Sequence, residues 1–583
     1  MITDANADPV RDPGDDSIGG RDAVELYVRT YNTILRSSGD INIRAFEPAH
    51  VGVGSSLHQN AASSRPDPGA FIYSIQRLPA CATRVGRVIV GQLPEQFGQL
   101  FDGGIDGWQK VEAPGRRRQW SFDNQQTLAV MIASVSDVDD VLPTIVAYQI
   151  EWNKLHDLLQ RPLLAAVLAT PAPPAESVVA HLGEDLGIPG SDWERLQRIW
   201  GDEFWSTLQA IAAQRKSFRL RMLGGTHVGY AKLVQRWWLP IEEALRDRGL
   251  LDRPIYFTSS NPHSVVNLVS GYVRRRADQL WEFLEHSADG EGLSELEYLR
   301  GQRGRSNPEN VLYYASRLWH QHHTEAPAKE VRAHEEAEHG IITVDPHEGL
   351  DVAAQIIDLS RVTPEDVDPR LDEASSVVGR SDAVILNVDY PLGMAAYFVL
   401  RQALERLSAV KGVYVLGKAA TLNGAVGDVM IADIVSDEHT KNVYSFTNVF
   451  TYDDVAPWLE RGAVLDNQKA VTVRGTFLQN RAYLENFYRE AYTVVEMEAG
   501  PYLSAVYEAA YADRHPMGES VRYRGLPFEL GFIHYASDTP YTRARTLGSR
   551  RLSFEGIDST YGSTVAMLRR ILHAERERMS VER

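Results

Sequence analysis

The 583-residue chain has one cysteine, Cys81. No intrachain disulfide can form and no cysteine-based zinc site can be built. In "LPACATRVG" the thiol reads as a small buried apolar group. No run of about 18 apolar residues occurs, so no transmembrane helix is expected. A basic surplus is missing too: 78 Asp and Glu stand against 60 Lys and Arg, a formal charge of −18. That sign argues against a nucleic-acid partner, which needs a basic face, but leaves room for a small basic pocket that takes one phosphate. No G-x-x-x-x-G-K-[ST] occurs, and "HVGVGSSLH" (His50 to His58) lacks the third glycine of a dinucleotide fingerprint, so a plain turn is expected there. In "HEEAEH" the histidines His334 and His339 are five apart, roughly 140° around a helix, whereas a zinc-binding helix spaces them four apart. A solvated charged linker is expected, and no metal.

What is present is ordinary for a soluble globular protein: 44% hydrophobic and 24% charged residues. The length suggests roughly three to five domain-sized units. The start, "MITDANADPVRDPGDDSIGG", lacks the basic and apolar regions of a signal peptide and reads as a disordered acidic tail over residues 1–21. A soluble, cytoplasmic protein without a membrane partner is the expectation.

From residue 22 to 362, β-like runs alternate with amphipathic helical patterns, predicting a helix-rich α/β region. Strand candidates are Arg87–Val90, Leu128–Ala133, Phe218–Leu223 and Arg253–Thr258. The turns "GGTH" (Gly224 to His227) and "SSNPHS" (Ser259 to Ser264) each follow a strand and open a helix. They are either anion-binding helix starts or ordinary caps. Residues 363–381 read as a linker, 382–573 as a compact α/β unit with a mixed central sheet, and 574–583 as a polar tail.

Several motifs converge in that last unit. "DAVILNV" is a buried strand followed by "DYPLG". "GVYVLGKAATLNGAVGDVMIADIV" holds a strand, a small-residue turn at Gly417, Lys418 and Ala419, then a second strand. "VRGTFLQN" is a strand edge carrying Phe477. "YTVVEMEAG" ends a strand in two carboxylates, and "ELGFIHYASDTPY" ends one in Ser537 and Asp538. Residues two apart in a strand share a face, so Glu496 and Glu498 are expected to point together and Met497 away from them.

In this order the motifs resemble the nucleoside phosphorylase/nucleosidase superfamily, closest to the branch of methylthioadenosine/S-adenosylhomocysteine nucleosidase and AMP nucleosidase. The resemblance implies N-ribosidic bond cleavage in a purine nucleoside or nucleotide, with no cofactor and with a small molecule as partner. It implies that Glu498 grips the ribose hydroxyls, with Glu496 and Met497 beside the sugar. Asp538 would be the general acid on the leaving base, next to Ser537. Phe477 would stack on the base, and Gly417, Lys418 and Ala419 would lie along the nucleoside. Asp389, in "DYPLG", would position or deprotonate water. The bland alternatives are a buried cation partner for Glu496, a helix cap for Asp538 and a core position for Phe477. Phosphorolytic relatives place arginines where this chain has Gly393 and Val415, which favours water as nucleophile. Lys418 keeps phosphate open, free or as a nucleotide 5′-phosphate, unless it pairs with Asp428 or Glu496. Relatives of this kind are commonly oligomers, so a homo-oligomer is expected. Phosphorolysis, or a nucleotide sensor that has lost turnover, are the other readings.

Overall fold

The computed structural model describes residues 13–170, 172–286, 293–322, 326–346, 349–371, 374–512, 514–539 and 554–581. The chain is α/β with mixed sheets and divides into two units. The first comprises residues up to 131, 137–224 and 475–491; the second comprises 132–136, 225–474 and 492–583. No described helix is long and apolar enough to cross a membrane.

The first unit is built on six strands: β1 (Ile41–Asn42), β2 (Arg87–Gly91), β3 (Gln109–Ala113), β4 (Arg116–Phe122), β5 (Thr127–Met131) and β6 (Arg219–Met222), in the order β1-β6-β2-β5-β4-β3. β2 and β5, at the parallel centre of the sheet, are almost entirely buried and largely apolar, whereas β6 beside them exposes Arg219. The helix Pro13–Ile34 takes in much of the expected tail; residues 1–12 lie outside the described residues.

The second unit carries an 11-stranded sheet: β7 (Ile255–Ser260), β8 (Ile341–Val344), β9 (Ala354–Asp358), β10 (Val384–Asp389), β11 (Val410–Thr421), β12 (Val429–Asp437), β13 (Val443–Ser445), β14 (Val464–Thr472), β15 (Val494–Glu496), β16 (Ser520–Arg522) and β17 (Glu529–Asp538). β17 pairs with both β11 and β12. Because β12, β14, β15 and β11 also pair in succession, these five strands close a ring. β7, β10, β9 and β8 extend from one side of β11.

Three expectations are corrected here. β7 comes from the region assigned to the N-terminal part, yet it pairs in parallel with both β10 and β11. Residues 363–381 are no linker: Val367, Leu371, Ala374, Val377 and Val378 are buried in the second unit's core. Residues 574–581 of the polar tail belong to the helix Ile557–Val581.

That tail owes its order to Glu575, a fully buried carboxylate. It accepts the hydroxyls of Tyr256 at 2.9 Å and Ser381 at 2.6 Å and pairs with Arg578 at 2.7 Å. Removing it orphans two buried hydroxyls, each costing about 1–3 kcal/mol. Glu575→Ala, or a chain ending at residue 573, is therefore expected to be destabilised by about 2–6 kcal/mol, read as a lowered denaturation midpoint. An unchanged midpoint would mean that the tail is dispensable.

Candidate functional site

The site centres on the last residues of β11. Ala420 pairs with Asp538 of β17 on one side and with Val495 of β15 on the other. At about 4.8 Å per strand, the Asp538 backbone and the "VEME" strand stand about 10 Å apart across β11. Gly417, Lys418 and Ala419 lie inside this strand and not in a turn, opposite His534, Tyr535 and Ala536. Here β11 has passed its last β7 partner, Val415, and has not yet met β15, so the run pairs with β17 alone. A register irregularity after Ala419 sets Ser537 off the ladder, and its hydroxyl donates to the Ala419 carbonyl at 3.3 Å and to Asp538 Oδ2 at 3.0 Å.

The two glutamates do not share a role. Glu496 is buried, and its Oε2 accepts the backbone N–H groups of Glu498 and Ala499, both at 2.6 Å. Its Oε1 meets the Thr472 hydroxyl. It therefore caps the helix Ala499–Ala510, and the expected place beside the sugar is corrected. The alternative, a buried cation as partner, is not met either. Burial, and then the neighbouring Glu498 charge, push its carboxyl up to about 8. Glu498 is the N-cap residue of that helix and is half-buried, with Oε1 taking the Gly393 N–H at 3.3 Å. Met497, also half-buried, turns its carbonyl towards Gly393.

Gly393 reaches the site from the turn after β10. Its φ of 52° lies in the left-handed region, and a Cβ there would stand 2.3 Å from Ser136 Oγ. An arginine is thus barred at 393 by both backbone and space. Val415 is a buried β11 residue between β7 and β17, so no phosphate-binding side chain is presented there. Asp389 ends β10 opposite Ser260, with β7 between it and β11. That puts its backbone about 10 Å from the β11 strand. The turn it opens meets Glu498 through Gly393, and the charge of Asp389 bears on Tyr535 of β17.

Lys418 is solvent-accessible yet ringed by protein. Desolvation, followed by the Arg317 charge, lowers its ammonium pKa, while Asp538 raises it. Asp428 accepts the backbone N–H groups of Ala425 and Ala463, both at 2.8 Å. Phe477 stands in a buried apolar cluster, the core position of its alternative reading. It belongs to the first unit, in a short 3-10 turn, with ring centres 5.1 Å from Tyr73, 5.7 Å from His50 and 6.2 Å from His58. The segment 50–58 is the end of the helix Glu47–Gly52 followed by a turn at Gly54, as expected, and its histidines are linked: His50 Nε2 lies 2.9 Å from His58 Nδ1, and His58 Nε2 lies 2.7 Å from Glu151.

The remaining motifs act structurally. Thr226 caps the helix His227–Arg246, and Asn261 Oδ1 accepts the N–H groups of His263 and Ser264. "HEEAEH" lies in and just after the helix Ala326–Glu338, with Glu336 on Arg332 and His339 on Asp366. Sequence reasoning missed Ser136, Asp437 and His439, which the fold brings to Gly393 from distant segments. No local pattern announces them.

Glu496 generates a pH prediction. Its carboxyl titrates near 4.5 when unfolded and near 8 when folded. Between those values the folded chain holds a proton that the unfolded chain releases, so this group's contribution to stability falls as pH rises. Glu496→Gln keeps an acceptor for the two N–H groups and is expected to flatten the decline in melting temperature between pH 5 and 8. An unaltered pH profile would show that the carboxyl is ionised throughout.

Comparison with known proteins adds the following. No curated protein matches the sequence. Among solved structures, a candidate methylthioadenosine nucleosidase from Weissella paramesenteroides is 12% identical, with a TM-score of 0.27 over 43% of this chain and 96% of that one. Uridine phosphorylase from Schistosoma mansoni, in complex with thymine, is 11% identical at a TM-score of 0.24, over 32% and 71%. A methylthioadenosine phosphorylase from an antarctic soil metagenomic library is 8% identical at a TM-score of 0.24, over 32% and 71%. Likenesses this remote bear on no residue's role. A family profile matches residues 43–573, nearly the whole chain, and the protein belongs to that family, DUF6909, a family of unknown function.

Proposed function

We propose that the second unit hydrolyses the N-ribosidic bond of a purine nucleoside or nucleotide. The observation that carries this reading is the pairing of Ala420 with Asp538 on one side and Val495 on the other. An acid and a sugar-binding carboxylate thereby flank one small-residue strand. Cleavage passes through a ribose with oxocarbenium character, and it needs a proton or hydrogen bond at the leaving base. Asp538 supplies that at the base, assisted by Ser537. Glu498 binds the ribose hydroxyls and stabilises the developing charge. Gly417, Lys418 and Ala419 form the floor.

Water is favoured over phosphate because an anion needs fixed cations, and the positions of Gly393 and Val415 offer none. Asp389, whose charge bears on Tyr390 and on Tyr535 of β17, is the group proposed to position or deprotonate the water. Lys418, in the strand paired with β17, is the candidate for a phosphate, either free or as a nucleotide 5′-phosphate.

The test is base release from a panel of purine nucleosides and nucleotides, with and without inorganic phosphate. Release without phosphate is expected. Asp538→Asn should lower kcat by about 100- to 10,000-fold, and Glu498→Ala should abolish the preference for ribose over 2′-deoxyribose. Lys418→Met should raise KM for the nucleotide and leave the nucleoside alone. Strict phosphate dependence would make the protein a phosphorylase. Binding without release, unchanged in Asp538→Asn, would make it a sensor.

A further inference from the structure

Beside Glu498 lies a second group of reactive side chains. Ser136 Oγ is 3.3 Å from His439 Nε2, and His439 Nδ1 is 3.0 Å from Asp437 Oδ1. The Met394 N–H donates to Ser136 Oγ at 2.9 Å, which directs the serine proton at the imidazole. Asp437 also takes the His439 N–H at 3.0 Å, the Thr440 hydroxyl at 2.6 Å and the Thr440 N–H at 3.2 Å. Burial alone would raise its carboxyl, but donors from His439 and Thr440 outweigh that and hold it below its ordinary value. An ionised Asp437 fixes the proton on Nδ1 and leaves Nε2 as the acceptor for Ser136.

The order of groups is that of a nucleophilic triad, but the enclosure is wrong for one. Ser136 is fully buried, and the His439 side chain is only 6% exposed. What the serine touches is the turn: it bonds Met394 and fills the space that a side chain on Gly393 would take. Gly393 in turn gives its N–H to Glu498 at 3.3 Å.

We propose that Asp437, His439 and Ser136 form a positioning relay that locks the Leu392–Met394 turn and, through the Gly393 N–H, aims Glu498 at the sugar. The effect on substrate rests on the hydrolase reading above; the effect on the turn does not.

Two readouts test it in the full chain: hydrogen exchange of the peptide spanning residues 390–396, and discrimination between a purine ribonucleoside and its 2′-deoxy analogue. Ser136→Ala and His439→Ala are expected to speed exchange at Gly393 and Met394 at least tenfold and to shrink the discrimination at least tenfold, with the folded state retained by circular dichroism. His439→Gln, whose amide reaches the Nε2 position, should restore most of both. If His439→Ala leaves exchange unchanged, the relay is overturned. If exchange rises while discrimination holds, the link to Glu498 is overturned. If the wild type neither binds nor cleaves any nucleoside, the hydrolase reading fails and the exchange data alone decide the relay. Should Ser136→Ala fail to fold, Ser136→Thr, which keeps the hydroxyl and adds a methyl group against Gly393, should speed exchange in its place; unchanged exchange there contradicts the proposal.

Discussion

β11 must satisfy backbone partners on three strands. Along Val410–Val415 it lies between β7 and β17; at Ala420 it lies between β17 and β15. The strand can serve all three only by running on past the edge of the open sheet into the closed ring. Its register is therefore fixed from both sides, and a one-residue slip would turn every side chain to the opposite face. Everything proposed for the site inherits its position from this pairing. The strand carrying Ser537 and Asp538 and the strand carrying "VEME" are each placed by their register against β11.

Around that strand the chain gives similar groups different environments. Glu496 and Glu498 are two residues apart, yet one is a neutral-leaning helix cap and the other holds the Gly393 N–H at the site's edge. The Glu498 charge helps to push the Glu496 carboxyl up, so the close pair need not carry two full charges. Gly393 plays the same part for shape. Its left-handed backbone brings the turn against Ser136, which closes off space that a cation would need.

Much of this was legible in the sequence. The strands β2, β5, β6, β7, β10 and β12 follow from apolar runs bounded by turn residues, and the "VEMEAG" and "SD" strand ends lie where the motif reading put them. What was not legible has physical causes. "GKAATL" has the composition of a turn, but tertiary pairing on both sides overrides propensity and makes it strand. The strand β7 lies far from its partners in sequence, and nothing local marks its insertion between β10 and β11. Phe477 follows a strand of the second unit but folds into the first, where His50, His58 and Tyr73 enclose it. Ser136 and His439 are 303 residues apart, so their meeting leaves no periodicity or spacing to read.

The central claim is that water attacks a sugar held between Glu498 and Asp538. The most direct measurement is the fate of labelled solvent oxygen: the protein is incubated with a purine nucleotide or nucleoside in ¹⁸O-water, without phosphate, and the sugar product is weighed by mass spectrometry immediately on quenching. The account predicts free base together with a sugar carrying one ¹⁸O at the anomeric carbon, and loss of both in Asp538→Asn. A sugar 1-phosphate formed only when phosphate is supplied, or no free base from any purine substrate, would contradict it.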